Sequence, residues 1–310
     1  MRILYCANFY DIHSEKWAKY FEQHLACSGR LGLNDVYNFH ADGFSFKKLS
    51  ELKYVIKTWK PDVLHCQYMG AWGLLGVLSG FRPIIGTVHG SEVLLSRGFK
   101  RLLVRWILNR CTVITTDGFH VRQAMIGMGV PRLKINMVNF GVDVDRFRPK
   151  NCGTIMRVIF RGGDGKVYDL PTMEKAINIV GKRMAPLFQE IKGLDPDRIP
   201  LFMQDAMIYV STATSDAGLA STTAEAMACG LPVVITDVAD NRHWVENGVS
   251  GFLFKPGDFK DLAMKISILL ESPDMRRKFG ERARKIICER NNYFAEMGKM
   301  AKIYQEVING

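Results

Sequence analysis

The chain has 310 residues, 47% of them hydrophobic and 24% charged, and a formal net charge of +11. That composition is globular and excludes disorder, and the length suits two domains. No apolar run reaches the ~20 residues of a membrane-spanning helix.

The first residues, Met1 to Phe9, lack a cleavage site and read as a β-strand rather than a signal peptide. The seven cysteines (6, 27, 66, 111, 152, 229, 288) are odd in number and scattered, with no C-x-x-C pair. They point to reduced, mostly buried thiols in a cytoplasmic protein. The charge is unevenly spread. Residues 1–150 hold 21 Lys+Arg and 11 Asp+Glu, so +10, whereas residues 151–310 hold 21 and 20, so +1. A basic face attracts nucleic acid, anionic lipid or an acidic substrate.

In chain order, Arg2–Asn8 predicts a strand and Glu15–Ala26 a helix. Lys47–Lys60 is helical, Pro61–Gln67 a strand, Ala71–Ser79 a small-residue helix, and Arg82–Val88 a buried strand. Phe99–Asn109 is helical, Cys111–Thr116 a strand, Val121–Gly127 a short helix, and Lys134–Asn139 a strand. This alternation implies an α/β fold with a parallel, doubly wound sheet. Gly, Asp and Pro then cluster in Phe140–Pro149, which suits a linker and sets expected domains of 1–150 and 151–310. The second half restarts with a strand at Ile155–Phe160 and a helix at Thr172–Lys182. Strands follow at Met207–Ser211, Pro232–Thr236 and Gly251–Phe254, with helices near Asn241–Glu246 and over Asp258–Glu271, Pro273–Arg290 and Tyr293–Ile308. Val180–Gln204 offers no convincing strand. Four strands, against about six in a full Rossmann-like half, predict a second domain compacted by one βαβ unit.

The most informative stretch runs from Ser215 to Asp237. A polar loop containing Gly218 and Leu219 opens a helix through Ser221 and Thr222, Gly230 stops it, and a buried strand follows. A helix opening at the carboxyl end of a strand offers free N–H groups and a positive dipole end to an anion. Glu225, one turn inside, is placed to accept hydroxyl hydrogen bonds from a ribose. The combination suits a nucleotide diphosphate. The same glutamate also has the T-x-x-E spacing of a capping box with Thr222.

The run E-A-M-A-C-G-L-P-V-V from Glu225 resembles the donor-site signature of retaining GT-B glycosyltransferases of family 4. Phe140–Pro149 resembles that family's G-V-D-x-x-x-F-x-P linker, and Gly251–Asp258 resembles a further family segment. The resemblance implies two Rossmann-like domains facing a cleft and a nucleotide-sugar donor held by the second. It also implies retention of anomeric configuration, with no obligatory metal and no cofactor. The donor would meet Gly218, Leu219, Ser221, Thr222 and Glu225. The family's second acidic residue falls on Ala217, and the nearest carboxylate is Asp216, one place earlier, taken here as a catalytic candidate. Arg161 and Lys166 match an R-x4-K pair expected to clamp the diphosphate. A competing alignment reads Gly162–Gly165 as a later G-D-G turn and makes that pair accidental. His89, in a segment similar to the family's H-G-S-[DE], is expected near the reacting sugar. Where the family has a glycine loop after its first strand, this chain has none, and Asp11, His13 and Glu15, with Glu92, are the candidates for acceptor hydroxyls. For His13 the alternative is the start of the next helix, and for Glu92 a local cap.

The acceptor implied is a lipid-linked or envelope polysaccharide intermediate. Arg97, Arg101 and Arg105 recur at i+4 beside Phe99, Leu102, Leu103, Trp106 and Ile107, which fits an anionic membrane surface and equally a core-packed helix with a solvated basic face. The expected location is cytoplasmic, peripheral at the inner face of the membrane. No nucleic-acid motif accompanies the basic charge. Rival readings are a non-catalytic nucleotide-sugar-binding or partner-assisting protein, and a nucleotide-sugar epimerase of the same fold.

Overall fold

The computed structural model describes residues 1–8, 12–27, 36–150, 157–162, 167–181, 187–195 and 197–310. The chain divides into two compact units, Met1–Phe140 with Glu296–Gly310, and Gly141–Ala295. The second unit therefore starts at Gly141, ahead of the expected boundary. Val142, Val144 and Phe147 of the predicted linker are buried in its core, and the end of the last helix returns to the first unit.

In the first unit the elements are β1 (Ile3–Ala7), α1 (Ile12–Cys27), β2 (Val36–His40), α2 (Phe46–Trp59), β3 (Val63–Gln67), α3 (Ala71–Leu78), β4 (Ile84–Val88), α4 (Ser91–Leu94), α5 (Gly98–Arg110), β5 (Val113–Thr116), α6 (Phe119–Gly127) and β6 (Ile135–Met137). Six parallel strands lie in the order β2-β1-β3-β4-β5-β6. β1, β3 and β4 are buried throughout, which is why they read as continuous apolar runs. β2 is an edge strand with two exposed residues, Tyr37 and Asn38. Its weak pattern gave no strand expectation.

The second unit holds β7 (Val158–Arg161), α7 (Leu170–Val180), β8 (Phe188–Ile191), α8 (Ile199–Gln204), β9 (Ile208–Ser211), α9 (Ser221–Ala228), β10 (Val233–Thr236), α10 (Asn241–Trp244), β11 (Gly251–Phe254), α11 (Phe259–Glu271) and α12 (Pro273–Arg290). The last helix, α13 (Tyr293–Asn309), begins here. The parallel sheet has the order β11-β10-β9-β7-β8. Among the described residues it has five strands, correcting the expected four. The missed strand is β8, also at an edge, where Gln189 and Glu190 interrupt the apolar residues. The fold is two parallel-sheet α/β units, as the alternating pattern predicts.

A chain of buried polar groups crosses the first sheet. Tyr5 on β1 hydrogen-bonds the Tyr304 phenol of α13 at 2.7 Å, and that phenol bonds His65 Nδ1 on β3. His65 Nε2 lies 2.7 Å from Thr87 Oγ1 on β4, which lies 2.6 Å from Thr115 Oγ1 on β5. Every imidazole nitrogen is thus matched to a hydroxyl, which satisfies a neutral ring but leaves a buried cation without a counter-charge. Burial, with a smaller contribution from His89, pushes the His65 pKa down to about 3. Of the cysteines, Cys6, Cys66, Cys111 and Cys229 are buried free thiols, and burial pushes Cys229 up to about 12.

The depressed His65 pKa has a consequence for stability. Below the ordinary value of 6.5 the unfolded chain binds a proton that the folded chain refuses. Stability should therefore fall with acidification from pH 6.5, by about 1.4 kcal/mol per pH unit from this group. Denaturant unfolding at pH 7 and pH 5 tests this. His65→Gln, which cannot titrate there, should lose that part of the slope, and an equal slope in the variant refutes the assignment.

Candidate functional site

Open parallel sheets bind ligands beyond the carboxyl ends of the strands, where the strand order reverses. In the first unit that point lies between β1 and β3. Gln67 ends β3, and His89 follows β4. In the second unit it lies between β7 and β9, which end at Arg161 and Ser211.

His89 is held from several sides. Its backbone N–H donates to Glu92 Oε1 at 2.9 Å, and its Nε2 lies 3.0 Å from Gln67 Oε1. Its ring packs against Phe140 (5.2 Å between centroids) and Tyr68 (6.1 Å). Glu92 is fully buried, and its Oε1 also accepts the Met69 N–H at 3.1 Å. The carboxylate ties the loop after β3 to the loop after β4. This corrects the expectation that Glu92 contacts an acceptor: its 0% exposure leaves no surface for one. The alternative of a cap on the following segment is not what forms either, since α4 has Gly90 as its N-cap with no side-chain cap hydrogen bond. Burial raises its pKa, and the backbone N–H donors oppose that shift. Asp11 and the side chain of His13 lie outside the described residues. His13 belongs to α1, as the helix-start alternative had it.

In the second unit, the loop between β9 and α9 is knitted to the segment before α7. Asp169 N–H donates to Thr212 O at 3.1 Å and Thr214 N–H to Val167 O at 2.7 Å, with an antiparallel bridge between Tyr168 and Ala213. Thr236 Oγ1 also bonds Ala213 O. This anchored loop carries Asp216, Gly218 and Leu219. Asp216 is half-buried and its Oδ1 accepts the Ala217 N–H at 2.8 Å.

α9 begins at Ser221. Its N-cap is Ala220, whose side chain makes no cap hydrogen bond. Thr222 lies inside the first turn, so the capping box with Glu225 does not form. The Thr222 hydroxyl instead lies 3.0 Å from the Tyr209 phenol, which also accepts from Thr223 Oγ1 at 3.4 Å. Tyr209 is fully buried on β9, and burial raises its pKa while the two threonines oppose the rise. At the opposite end of α9, Arg284 of α12 donates to Ala228 O and to Phe147 O, the latter at 3.1 Å. A cation at the carboxyl end complements the helix dipole. Gly280 allows that approach: a Cβ there would meet Gly230 O at 1.9 Å. α9 is thus fixed at both ends, with its amino end at the carboxyl edge of the sheet.

Arg161 ends β7 beside Ser211. Its Nη1 donates to Ile191 O at 2.9 Å, and its guanidinium stands 5.6 Å from the Tyr168 ring centroid. Lys166 lies outside the described residues. The structure brings Arg161, the 212–220 loop and α9 to one sheet edge. Gln67, Tyr209 and Arg284 went unremarked in the sequence, because each matters through a partner distant along the chain.

This geometry, a parallel-sheet unit with a helix amino terminus at its switch point and a second such unit in the same chain, is that of GT-B glycosyltransferases. The family models agree. "Glycosyltransferase Family 4" matches residues 12–146 and "Glycosyl transferases group 1" matches residues 188–286. The chain belongs to glycosyltransferase family 4 and has the GT-B fold. It is 24% identical to the putative glycosyltransferase EpsD of Bacillus subtilis, over 99% of this chain and 97% of that protein. It is 23% identical to the N,N'-diacetylbacillosaminyl-diphospho-undecaprenol alpha-1,3-N-acetylgalactosaminyltransferase of Campylobacter jejuni, over 69% and 68%. Among solved structures, Anabaena Alr3699/HepE in complex with UDP has a TM-score of 0.81 at 15% identity, covering 99% of this chain and 100% of that one.

The role of Glu92 makes a clear prediction. Glu92→Gln keeps an acceptor oxygen for the Met69 and His89 N–H groups and should change stability little. Glu92→Ala leaves both buried donors unpaired and should cost about 1–3 kcal/mol or more. Denaturant unfolding of the two variants checks this, and equal losses would remove the carboxylate from the loop's support.

Proposed function

We propose that this glycosyltransferase moves a sugar from a nucleotide sugar to a lipid-linked or envelope polysaccharide acceptor, with retention of anomeric configuration. The observation that carries the donor assignment is the amino end of α9, which follows the loop after β9, with Arg161 ending the neighbouring β7 at the switch point of the second unit. Its first-turn N–H groups and dipole suit a diphosphate, and Glu225 suits the ribose hydroxyls. Gly218, Leu219, Ser221 and Thr222 line the approach, and Lys166 adds a cation. These groups would stabilise charge developing on the leaving diphosphate. The acceptor hydroxyl oxygen bonds the anomeric carbon as the nucleoside diphosphate leaves with the bonding pair, and the hydroxyl proton passes to the departing phosphate oxygen. His89 and Asp216 are the candidates for contact at the reacting sugar. Anabaena HepE was solved with UDP and with UDP-glucose, and the Campylobacter relative is named for a diphospho-undecaprenol substrate. Both support this reading.

The first unit carries the surface we assign to the membrane. Among the described residues no helix is long and apolar enough to cross a bilayer. α5 buries Val104, Ile107 and Leu108 in the core, as the core-packed alternative requires. Its outer side and the preceding turn expose Leu95 (74%), Phe99 (80%) and Leu102 (60%) among the exposed Arg97, Lys100, Arg101 and Arg105. A pocket of about 410 Å³ there is lined by Gly98, Arg101, Leu102, Arg105, Gly127 and Met128. Exposed apolar side chains interleaved with cations fit the interfacial region of an anionic bilayer.

The donor assignment is tested by calorimetry with UDP and GDP, followed by assay of nucleoside diphosphate release from a panel of nucleotide sugars. Glu225→Gln exchanges one acceptor oxygen for a donor and should weaken nucleotide binding by about 1.5–3 kcal/mol. Unchanged affinity would remove Glu225 from the site. Nucleotide binding without consumption of any donor, with or without acceptor, would favour the non-catalytic reading. Consumption by interconversion of sugars without an acceptor would favour the epimerase.

Membrane association is tested separately with phosphatidylglycerol and phosphatidylcholine vesicles. Binding should favour the anionic lipid, fall with salt, and fall again in the Arg97→Gln, Arg101→Gln, Arg105→Gln triple variant, at roughly 1 kcal/mol per cation. Equal binding to both lipids, or none at low salt, would reassign the patch to a soluble acceptor or a protein partner.

A further inference from the structure

We infer that Tyr68 and Trp72 form an aromatic platform in the first unit for a hexopyranose ring of the acceptor. That the ring belongs to an acceptor rests on the transferase reading above. The sugar-binding platform does not.

Tyr68 directly follows β3, and its backbone lies in the left-handed region with a φ of 69°. Such a φ is unfavourable for a bulky side chain, and glycine or asparagine takes it more readily. The turn itself uses only the backbone of Tyr68, whose N–H donates to Thr87 O at 2.8 Å. Full burial of the ring would offset the strain, but Tyr68 is only half-buried. Strain of this kind persists at sites where the side chain has a task. The ring is also given room, since a Cβ on Gly70 would meet Tyr68 Cε1 at 2.7 Å.

Trp72, in the first turn of α3, is half-buried as well. Its indole N–H donates to Ala41 O, just past β2, at 2.5 Å, which fixes the plane of the indole. The strand order β2-β1-β3 puts β1 between the two anchor points. The pair therefore reaches from the carboxyl end of β3 across β1 to that of β2, at the place where the strand order reverses and open sheets take ligands. The two rings meet edge to face, with centroids 5.1 Å apart and planes at 76°. Tyr68 meets the His89 ring at a similar angle, 73°. Among the described residues, neither Tyr68 nor Trp72 is stacked face to face on another ring. A pyranose presents axial C–H groups on one side of its ring, and their partial positive charge suits the negative face of an aromatic ring. Neither side chain carries a charge, which suits a neutral sugar ring rather than a phosphate. The platform also stands beside His89, the candidate for contact at the reacting sugar.

Saturation-transfer NMR on the full chain tests the assignment. The probes are octyl β-D-glucoside, octyl β-D-galactoside and octyl N-acetyl-β-D-glucosaminide, all below their micelle concentrations, with 1-octanol as the control for the alkyl chain. At least one glycoside should bind the wild type, with saturation strongest on its ring C–H protons. Trp72→Leu and Tyr68→Asn should each weaken that binding about fivefold or more, whereas Tyr68→Phe should hold it within about twofold. Tyr68→Asn should melt no lower than wild type, because asparagine accepts the left-handed backbone, and it carries the test alone if Trp72→Leu does not fold. UDP or GDP affinity should stay within about twofold in every variant, since the donor groups belong to the second unit. No glycoside binding, equal saturation of 1-octanol, or a Tyr68→Asn variant that binds as wild type does overturns the platform. A wild type that binds a glycoside through these two rings but consumes no nucleotide sugar defeats the transferase reading and leaves the platform standing.

Discussion

Parallel pairing delivers every strand of a sheet to the same edge, so every loop that leaves a carboxyl end is gathered there. Each unit of this protein has that property, and each also reverses its strand order once. Two loops that diverge from a reversal point leave a gap that no crossover helix covers. The residues at those gaps, Gln67 with the nearby His89 in one unit and Arg161 with Ser211 in the other, owe their place at the ligand-facing edge to this topology. Residues equally polar at the opposite edge have no such setting.

Placing a helix amino terminus at such a gap is not enough to hold an anion. The helix must also be kept from fraying and from drifting along its axis. α9 is eight residues long, below the length at which an isolated helix is stable in water. Its first turn is tied through Thr222 and Thr223 to the phenol of Tyr209, buried on β9, and its last turn is closed by Arg284. Gly280 lets α12 come close enough for the arginine to reach. The same logic holds in the first unit, where the buried Glu92 holds two loops together through backbone N–H groups. In both units a polar group that never reaches a ligand keeps a candidate ligand-binding group in place.

The buried chain from Tyr5 through Tyr304 and His65 to Thr115 is a different device. It joins the last helix of the protein to four neighbouring strands of the first sheet. Its partners are separated by as many as 299 residues along the chain, so it closes the first unit only when the carboxyl terminus is in place. A neutral histidine at its centre makes the closure sensitive to acid.

Much of this protein was legible in its sequence. The buried strands show as apolar runs because both faces of a parallel sheet are covered, and the helices between them show as amphipathic segments. The helix opening after β9, its glycine stop and the family motif were all local, and local patterns survive in one dimension. The edge strands β2 and β8 did not, since half-exposed strands mix polar and apolar residues as loops do. The extent of the second unit was also hidden, because Val142, Val144 and Phe147 lie in a segment whose glycine, aspartates and proline resemble a linker. Only the tertiary structure decided that Thr222 bonds Tyr209 rather than capping its helix, that Glu92 faces inward, and that Gln67 meets His89. Each outcome depends on which side chain a neighbouring strand or loop brings within hydrogen-bonding distance. That is a property of the folded sheet, which sequence spacing does not carry.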